Sequence, residues 1–156
     1  MRTRLIAIGT RMPAWVNTGF EDYARRLRSH LRVELVELAV GRRKPAAQPM
    51  RAQSEEARRM LAGLSPDEFV VALDERGAQR STRELAQWLE RRRQQGRDLA
   101  LLIGGPDGFA AEVLTRADER WSLSQLTLPH AMVRIVVIEQ LYRAQSLLLN
   151  LPYHRD

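Results

Sequence analysis

The chain has 156 residues, 44% of them hydrophobic and 28% charged, the composition of one soluble globular domain long enough to bury a proper core. It has no cysteine, which excludes disulfides, zinc–thiolate sites and thiol nucleophiles, and no apolar run approaches the roughly 18 residues that a bilayer span needs. The formal charge of +6 is uneven, with 13 Lys and Arg against 6 Asp and Glu in residues 1–60 and 12 against 13 in residues 61–156, a pattern that suggests a polyanion-facing surface beside a separate, near-neutral site.

The N-terminus, Met1 to Gly9, has a short apolar run without a small-residue cleavage pattern, so a cytoplasmic protein is expected. Residues 2–9 read as a first strand, apolar at Leu5, Ile6 and Ile8 and closed by Gly9. Residues 14–29 place Trp15, Val16, Phe20, Tyr23, Ala24 and Leu27 near helical spacing, with Arg25, Arg26 and Arg28 off that face. Leu31 to Leu38 fits a second strand, although Glu34 and Glu37 break strict alternation. The segment from Gly41 to Pro49 is a basic, proline-bounded loop and a candidate RNA contact. It holds Lys44, the sole lysine; every other basic residue is arginine, whose planar fork suits phosphate.

Residues 50–63 read as a helix with Met60 and Leu61 inward. Phe69 to Leu73 is a continuous apolar run, the mark of a strand buried on both faces, and Asp74 to Gly77 reads as the turn that ends it. Ser81-Thr82-Arg83-Glu84 has capping-box spacing and opens a helix through about Arg93, stopped at Gln95-Gly96. Asp98 to Ile103 is a second apolar strand, running into the glycine loop Gly104-Gly105-Pro106-Asp107-Gly108. A helix over about 109–118 and a short strand over 121–124 follow. Ile135 to Ile138 is β-branched throughout and favours a strand by propensity. Yet apolar residues continue from Ala131 to Leu149, and Glu139 and Arg143 form an i,i+4 pair, so a helix is expected there. That helix is apolar around most of its circumference, which suggests burial against a second copy of the chain. Strands alternating with helices give an α/β class with a mainly parallel sheet and a single domain over residues 1–156.

Glycine lets backbone approach a ligand closely, so the two strand-to-loop transitions, after Ile103 and after Ser122, are candidate walls of one pocket. The spacing of Gly104, Gly105 and Gly108 is neither the P-loop nor the dinucleotide fingerprint. His30, His130 and His154 lack metal-ligand spacing, so no metal is expected. Ser122 or Ser124 with His130 lacks the nucleophile elbow of a serine hydrolase. The C-terminus packs Pro152, Tyr153, His154 and Arg155 together: an aromatic able to stack on a base, an imidazole able to move a proton and a guanidinium able to hold phosphate.

Taken together these residues resemble the bacterial large-subunit ribosomal RNA pseudouridine N3-methyltransferases, a small family of the SPOUT class. The likeness runs over essentially the whole length: Ala7-Ile8-Gly9, Leu73-Asp74 with Gly77, Leu101 to Gly105 with Gly108, Ser122-Leu123-Ser124, Thr127-Leu128-Pro129-His130, Arg134, Glu139, Leu141 to Ala144 and Pro152 to Arg155. The resemblance implies an α/β domain with a C-terminal trefoil knot, acting as a homodimer on assembled ribosomes at a pre-existing pseudouridine. It implies S-adenosyl-L-methionine bound against Leu73, Gly104 and the segment Leu123, Ser124, Gln125, Leu126, Thr127 and Leu128. Gln125, Leu126 and the loop from Arg42 to Pro49 depart from the family pattern without putting the activity in doubt. On this reading His154 and Arg155 of one subunit close over the cofactor of the other, Tyr153 packs on the base, and Arg143 and His130 line the same pocket. Two other readings stay open from the sequence: a SPOUT methyltransferase acting on transfer RNA, and a non-catalytic ribosome-binding factor.

Overall fold

The computed structural model describes residues 1–42 and 49–154; most of the basic loop around Lys44 and the end of the tail, Arg155 included, lie outside the described residues. Ten elements follow one another as β1 (Thr3–Ile8), α1 (Ala14–Leu27), β2 (Val33–Leu38), α2 (Pro49–Ala62), β3 (Phe69–Gln79), α3 (Thr82–Gln95), β4 (Leu99–Ile103), α4 (Ala111–Arg116), β5 (Glu119–Ser122) and α5 (His130–Leu148). The five strands form one sheet in the order β2-β1-β4-β3-β5, parallel at every pairing.

Side chains alternate across a strand, and here the alternation sorts the core into two layers. Leu5, Ala7, Val71, Leu101 and Ile103 face α1, α3 and α5, with Phe20, Leu27, Trp88, Leu89, Val137, Ile138 and Leu141 completing that layer. Ile6, Ile8, Val70, Ala100 and Leu102 face α2 and α4 through Ala57, Met60 and Val113. Covered on both faces, every residue of the central strand β4 is buried, which is why its sequence is an unbroken apolar run. β2 is an edge strand, and its interrupted burial accommodates Glu34 and Glu37.

Several boundaries differ from the sequence reading for identifiable reasons. Asp74 to Gly77 does not end β3; the strand continues to Gln79 through an irregularity between Leu73 and Ala78, and Ala78 and Gln79 pair with Trp121 and Ser122 of β5. The close crossing requires Gly77, since a Cβ there would lie 2.5 Å from the Trp121 carbonyl carbon. Trp15, expected on the inner face of α1, is 53% exposed, while Val16, Phe20 and Leu27 form the buried stripe. The capping box forms as read, with the Ser81 hydroxyl accepting from the Glu84 amide and the Glu84 carboxylate accepting from the Ser81 amide, and α3 ends on left-handed Gly96.

The segment after Pro129 is a helix through Leu148, β-branched run included. α5 lies against α1 on one side and α3 on the other, with β4 beneath. Its apolar circumference is therefore largely covered within one chain, so that feature does not by itself require a second copy. Met132, Leu149 and Leu151 remain exposed around it.

Candidate functional site

α3 and α5 cover one face of the sheet and α4 the other, so the chain leaves β3 and β4 in opposite directions. In a parallel sheet such a divergence opens a crevice at the carboxyl ends of the strands. Here it is a cleft of about 610 Å³, with Leu73, Asp74, Glu75 and Arg76 on the β3 side, Ile103 and the glycine loop through Phe109 on the β4 side, and Leu128, His130 and Val133 closing it. A hollow of about 160 Å³ adjoins it across Leu73, Asp74, Glu75 and Leu128, lined further by Leu123, Ser124, Leu126 and Thr127. The two loops thus share one depression. Of the segment from Leu123 to Leu128, only the exposed Gln125 lines neither part.

Both walls are braced. In the glycine loop the Gly108 amide donates to the Gly105 carbonyl at 3.0 Å, and the Gln53 side chain of α2 donates to the Asp107 carbonyl at 2.5 Å. The carboxylate of Glu56, a buried residue of α2, packs directly on Gly105, leaving no room for a Cβ at that position. In the other loop the Ser122 hydroxyl donates to the Ser124 carbonyl at 2.9 Å, and the Ser124 hydroxyl accepts from the Leu126 amide at 2.9 Å. β5, which delivers that loop, is anchored by Glu119. Its carboxylate accepts from the indoles of Trp88 at 3.1 Å and Trp121 at 2.8 Å and from Arg80 at 2.6 Å.

His130, the first residue of α5, joins the walls at the floor. Its Nδ1 lies 3.2 Å from the Gly104 carbonyl and its Nε2 lies 3.2 Å from Nε of Arg134. Arg134 is fully buried; its other nitrogens donate to Glu37 Oε1 at 2.5 Å and to the Gly9 carbonyl at 2.6 Å. Burial first, and then the Arg134 charge, push the imidazole below its ordinary value, against the opposing pull of the Gly104 carbonyl and Glu37.

The remaining sequence candidates gather elsewhere. The Tyr153 hydroxyl donates to Glu139 Oε1 at 3.1 Å and sits 3.2 Å from the Tyr23 hydroxyl. Its ring meets Tyr142 edge-on at 4.6 Å and underlies the Arg143 guanidinium at 4.8 Å. Arg143 is paired to Glu139 at 2.6 Å, and Arg26 lies over the rings of both Tyr23 and Tyr142. Desolvation, the Tyr23 hydrogen bond and the Glu139 charge all push the Tyr153 phenol upward, so it stays protonated at neutral pH. His154 is half-buried. Thirteen residues of helix place Arg143 about 20 Å along α5 from His130. Within one chain, therefore, the structure brings His130 together with Leu73, Gly104 and the Leu123–Leu128 loop, and leaves Arg143 and Tyr153 in a separate cluster.

Asp74, Glu75, Arg76, Phe109, Arg120 and Val133 line the cleft without having been expected there. For Asp74 to Arg76 a signal existed: charged residues directly after the buried apolar run of a parallel strand stand at a binding edge. Among the described residues, no group of His, Asp and Glu is arranged to hold a metal ion, and no helix is long and apolar enough to cross a membrane.

Comparison with known proteins follows the same lines. A family model described as a predicted SPOUT methyltransferase matches residues 1–154. The chain is 54% identical over 155 residues to the ribosomal RNA large subunit methyltransferase H of Stenotrophomonas maltophilia (strain R551-3), covering 99% of each. It is 55% identical over 155 residues to the protein of the same name from Alkalilimnicola ehrlichii, again covering 99% of each. Among solved structures it resembles a probable methylase family protein from Haemophilus influenzae at a TM-score of 0.54 and 16% identity, over 95% of this chain and 66% of that one. A putative methylase family protein from Neisseria gonorrhoeae gives 0.53 and 19%, over 90% of this chain and 81% of that one. At those identities the two structures speak to the fold alone.

Proposed function

The chain belongs to the SPOUT methyltransferase family, and from that premise we propose that it transfers a methyl group from S-adenosyl-L-methionine to N3 of a pseudouridine in the large-subunit (23S) ribosomal RNA of the assembled ribosome, in the cytoplasm. The observation that carries the reading is the meeting of the loops after β4 and β5 in one cleft, in a chain that matches large-subunit rRNA methyltransferases along its whole length.

The residues of the cleft fit the donor. Leu73, Ile103, Leu128 and Val133 are apolar surfaces suited to a purine, and the glycine loop and the Ser124–Leu128 loop offer backbone donors and acceptors for its edge. Asp74 and Glu75 place carboxylates in the lining beside the guanidiniums of Arg76 and Arg120, so both signs of charge are present for a donor that carries both. The bound donor supplies a sulfonium-activated methyl group, so no covalent enzyme intermediate is required. What remains for the protein is to hold the uracil in line and to help remove the N3 proton.

We assign that second task to the tail. Tyr153 would pack on the base, His154 would assist the proton, and Arg155 would hold the RNA. Since α5 keeps Arg143 and Tyr153 far from the cleft of their own chain, they would serve the cleft of a second subunit, which is the support for a homodimer with a shared site. The return of residues 123–129 from edge strand β5 to an α5 seated between α1 and α3 supports threading of this segment as the family's trefoil knot. The basic N-terminal half, with a groove between Arg28 and Arg32, suits an RNA surface.

The test is to incubate the protein and tritiated S-adenosylmethionine with ribosomes lacking the methylation, free ribosomal RNA and bulk transfer RNA in parallel. Label on ribosomes, mapped to a large-subunit pseudouridine, is the expected outcome. Label on transfer RNA alone would move the substrate, and absence of both label and cofactor binding would leave a ribosome-binding factor. Deleting residues 153–156 should abolish transfer while S-adenosylhomocysteine still binds; near-normal transfer by the truncated protein would remove the tail from the site.

A further inference from the structure

The hydrogen-bonding capacity of the groups around His130 dictates the state of its ring. A guanidinium has only donors, so Nε2 must accept from Arg134 and carries no proton. A carbonyl only accepts, so Nδ1 must carry the proton that it donates to Gly104. Both nitrogens are engaged. Taking up a proton would break the bond to Arg134 and set a second cation against a buried guanidinium.

From this arrangement we propose that His130 is a positioning residue, not a proton-transfer group: a Glu37–Arg134–His130 relay fixes the Gly104 carbonyl and thereby sets the spacing of the two loops that would hold the cofactor. The proposal deepens the methyltransferase reading and rests on it for the identity of the ligand.

The relay is placed to do this. Glu37 belongs to β2, the Gly9 carbonyl ends β1, Gly104 ends β4, and His130 and Arg134 open α5. Arg134 therefore ties the carboxyl ends of β1 and β2, and through His130 that of β4, to the helix that closely follows the Leu123–Leu128 loop. The Arg134 side chain is 1% exposed while Glu37 is 33% exposed, so the middle of the relay is sealed, its far end reaches solvent and its near end, half-buried His130, meets the cleft. An aliphatic side chain at this place would avoid the cost of burying a charge, which here is met by the bonds of Arg134 to Glu37, the Gly9 carbonyl and His130. The charged groups facing His130 are Arg134 from α5, Glu37 from β2, and, across the cleft, Asp74, Glu75 and Arg76 from β3, Asp107 from the glycine loop and Arg120 from β5. None of the latter is placed in a hydrogen bond to the ring.

Full-length wild type, His130→Asn, His130→Gln and His130→Ala would be titrated calorimetrically with S-adenosylhomocysteine, and the imidazole tautomer of the wild type read from long-range nitrogen–proton NMR. Asparagine carries an N–H donor near the Nδ1 position, whereas the glutamine amide reaches only the Nε2 position. Alanine and glutamine should weaken binding about 10-fold, the loss of one net hydrogen bond, and asparagine should restore most of that. On ribosomes the defect should appear as a raised KM for the donor more than a lowered kcat, with the pH–rate profile unmoved. The spectra should show the Nδ1–H tautomer, uncharged at neutral pH. Loss of about 100-fold in kcat in the asparagine variant with normal S-adenosylhomocysteine affinity, together with a vanished limb of the pH profile, would make His130 a proton-transfer group and overturn the proposal. So would an Nε2–H or doubly protonated ring at neutral pH. A wild type that binds no S-adenosylhomocysteine would refute the cofactor reading and the role given to the relay with it, while the tautomer spectrum would still decide the relay itself.

Discussion

Removing the Glu119 carboxylate tests whether the anchoring of β5 holds the β5 loop in place. Glu119 accepts from two indoles whose residues are only 2% (Trp88) and 6% (Trp121) exposed. In Glu119→Ala neither N–H regains water easily, and each unsatisfied donor costs about 1–3 kcal/mol. The ion pair to Arg80, roughly a quarter exposed on both sides, adds no more than about 1 kcal/mol after solvent screening. The variant should therefore lose about 3–5 kcal/mol, a large share of the stability of a domain this size. Glu119→Gln should lose less, about 1–3 kcal/mol, because one oxygen remains to accept while the amide NH₂ faces a donor. The assay is urea unfolding followed by tryptophan fluorescence at fixed protein concentration, since association would otherwise shift the midpoint. Burial alone would raise the Glu119 value, but hydrogen bonds from Trp121, Trp88 and Arg80 outweigh it and hold it below the ordinary glutamate value. The charge-dependent part of its contribution is thus present above the ordinary value and lost as pH falls through the lowered one, so the gap between wild type and variant should narrow in acid towards that of a neutral acceptor. A Glu119→Ala protein within about 0.5 kcal/mol of wild type at pH 7 would refute the reasoning, since no pair of buried, abandoned indole N–H groups is that cheap.

Other outcomes follow from close contacts and titration. Gly77→Ala places a methyl group against the Trp121 backbone, which cannot yield, so β5 should detach from β3 and the protein should unfold at a lower urea midpoint or fail to accumulate; a wild-type midpoint would show that the crossing is looser than described. Gly105→Ala drives a methyl group into the Glu56 carboxylate and should weaken S-adenosylhomocysteine binding several-fold by calorimetry. Adding Glu56→Ser should recover part of that, and equal binding by all forms would uncouple this loop from the ligand. In an ultraviolet titration Tyr153, with its phenol raised by desolvation, Tyr23 and Glu139, should ionise after an ordinary tyrosine, and Tyr153→Phe should delete that late step. The sign is that of a raised group: its stabilising contribution is present below the ordinary phenol value and disappears as pH rises through the folded one.

Much of the fold was legible in the chain. Unbroken apolar runs at Phe69–Leu73 and Leu99–Ile103 specify strands covered on both faces, and Ser81 with Glu84 fixes a helix start to the residue, because periodicity and capping are local properties of backbone geometry. The candidate cleft was legible in part. The loops after Ile103 and after Ser122 could be named because glycine and strand ends mark where backbone can approach a ligand; Leu73 and the individual residues from Leu123 to Leu128, like the ligand itself, came from the resemblance. Asp74 to Gly77 reads locally as a turn, but the pairing that extends β3 to Gln79 is made by a strand more than forty residues away. The partners of Arg134 were likewise invisible: Glu37 is 97 positions away and Gly9 is 125, and no local pattern encodes which distant group will neutralise a buried cation. The split of Arg143 from His130 follows from helix length alone, whereas the return of Tyr153 onto Tyr23, Tyr142 and Glu139 appears only in the fold. Sequence sets which segments are strands and helices because those preferences act over a few residues; the tertiary fold alone decides which side chains meet, because those contacts depend on the order in which parallel strands are laid side by side.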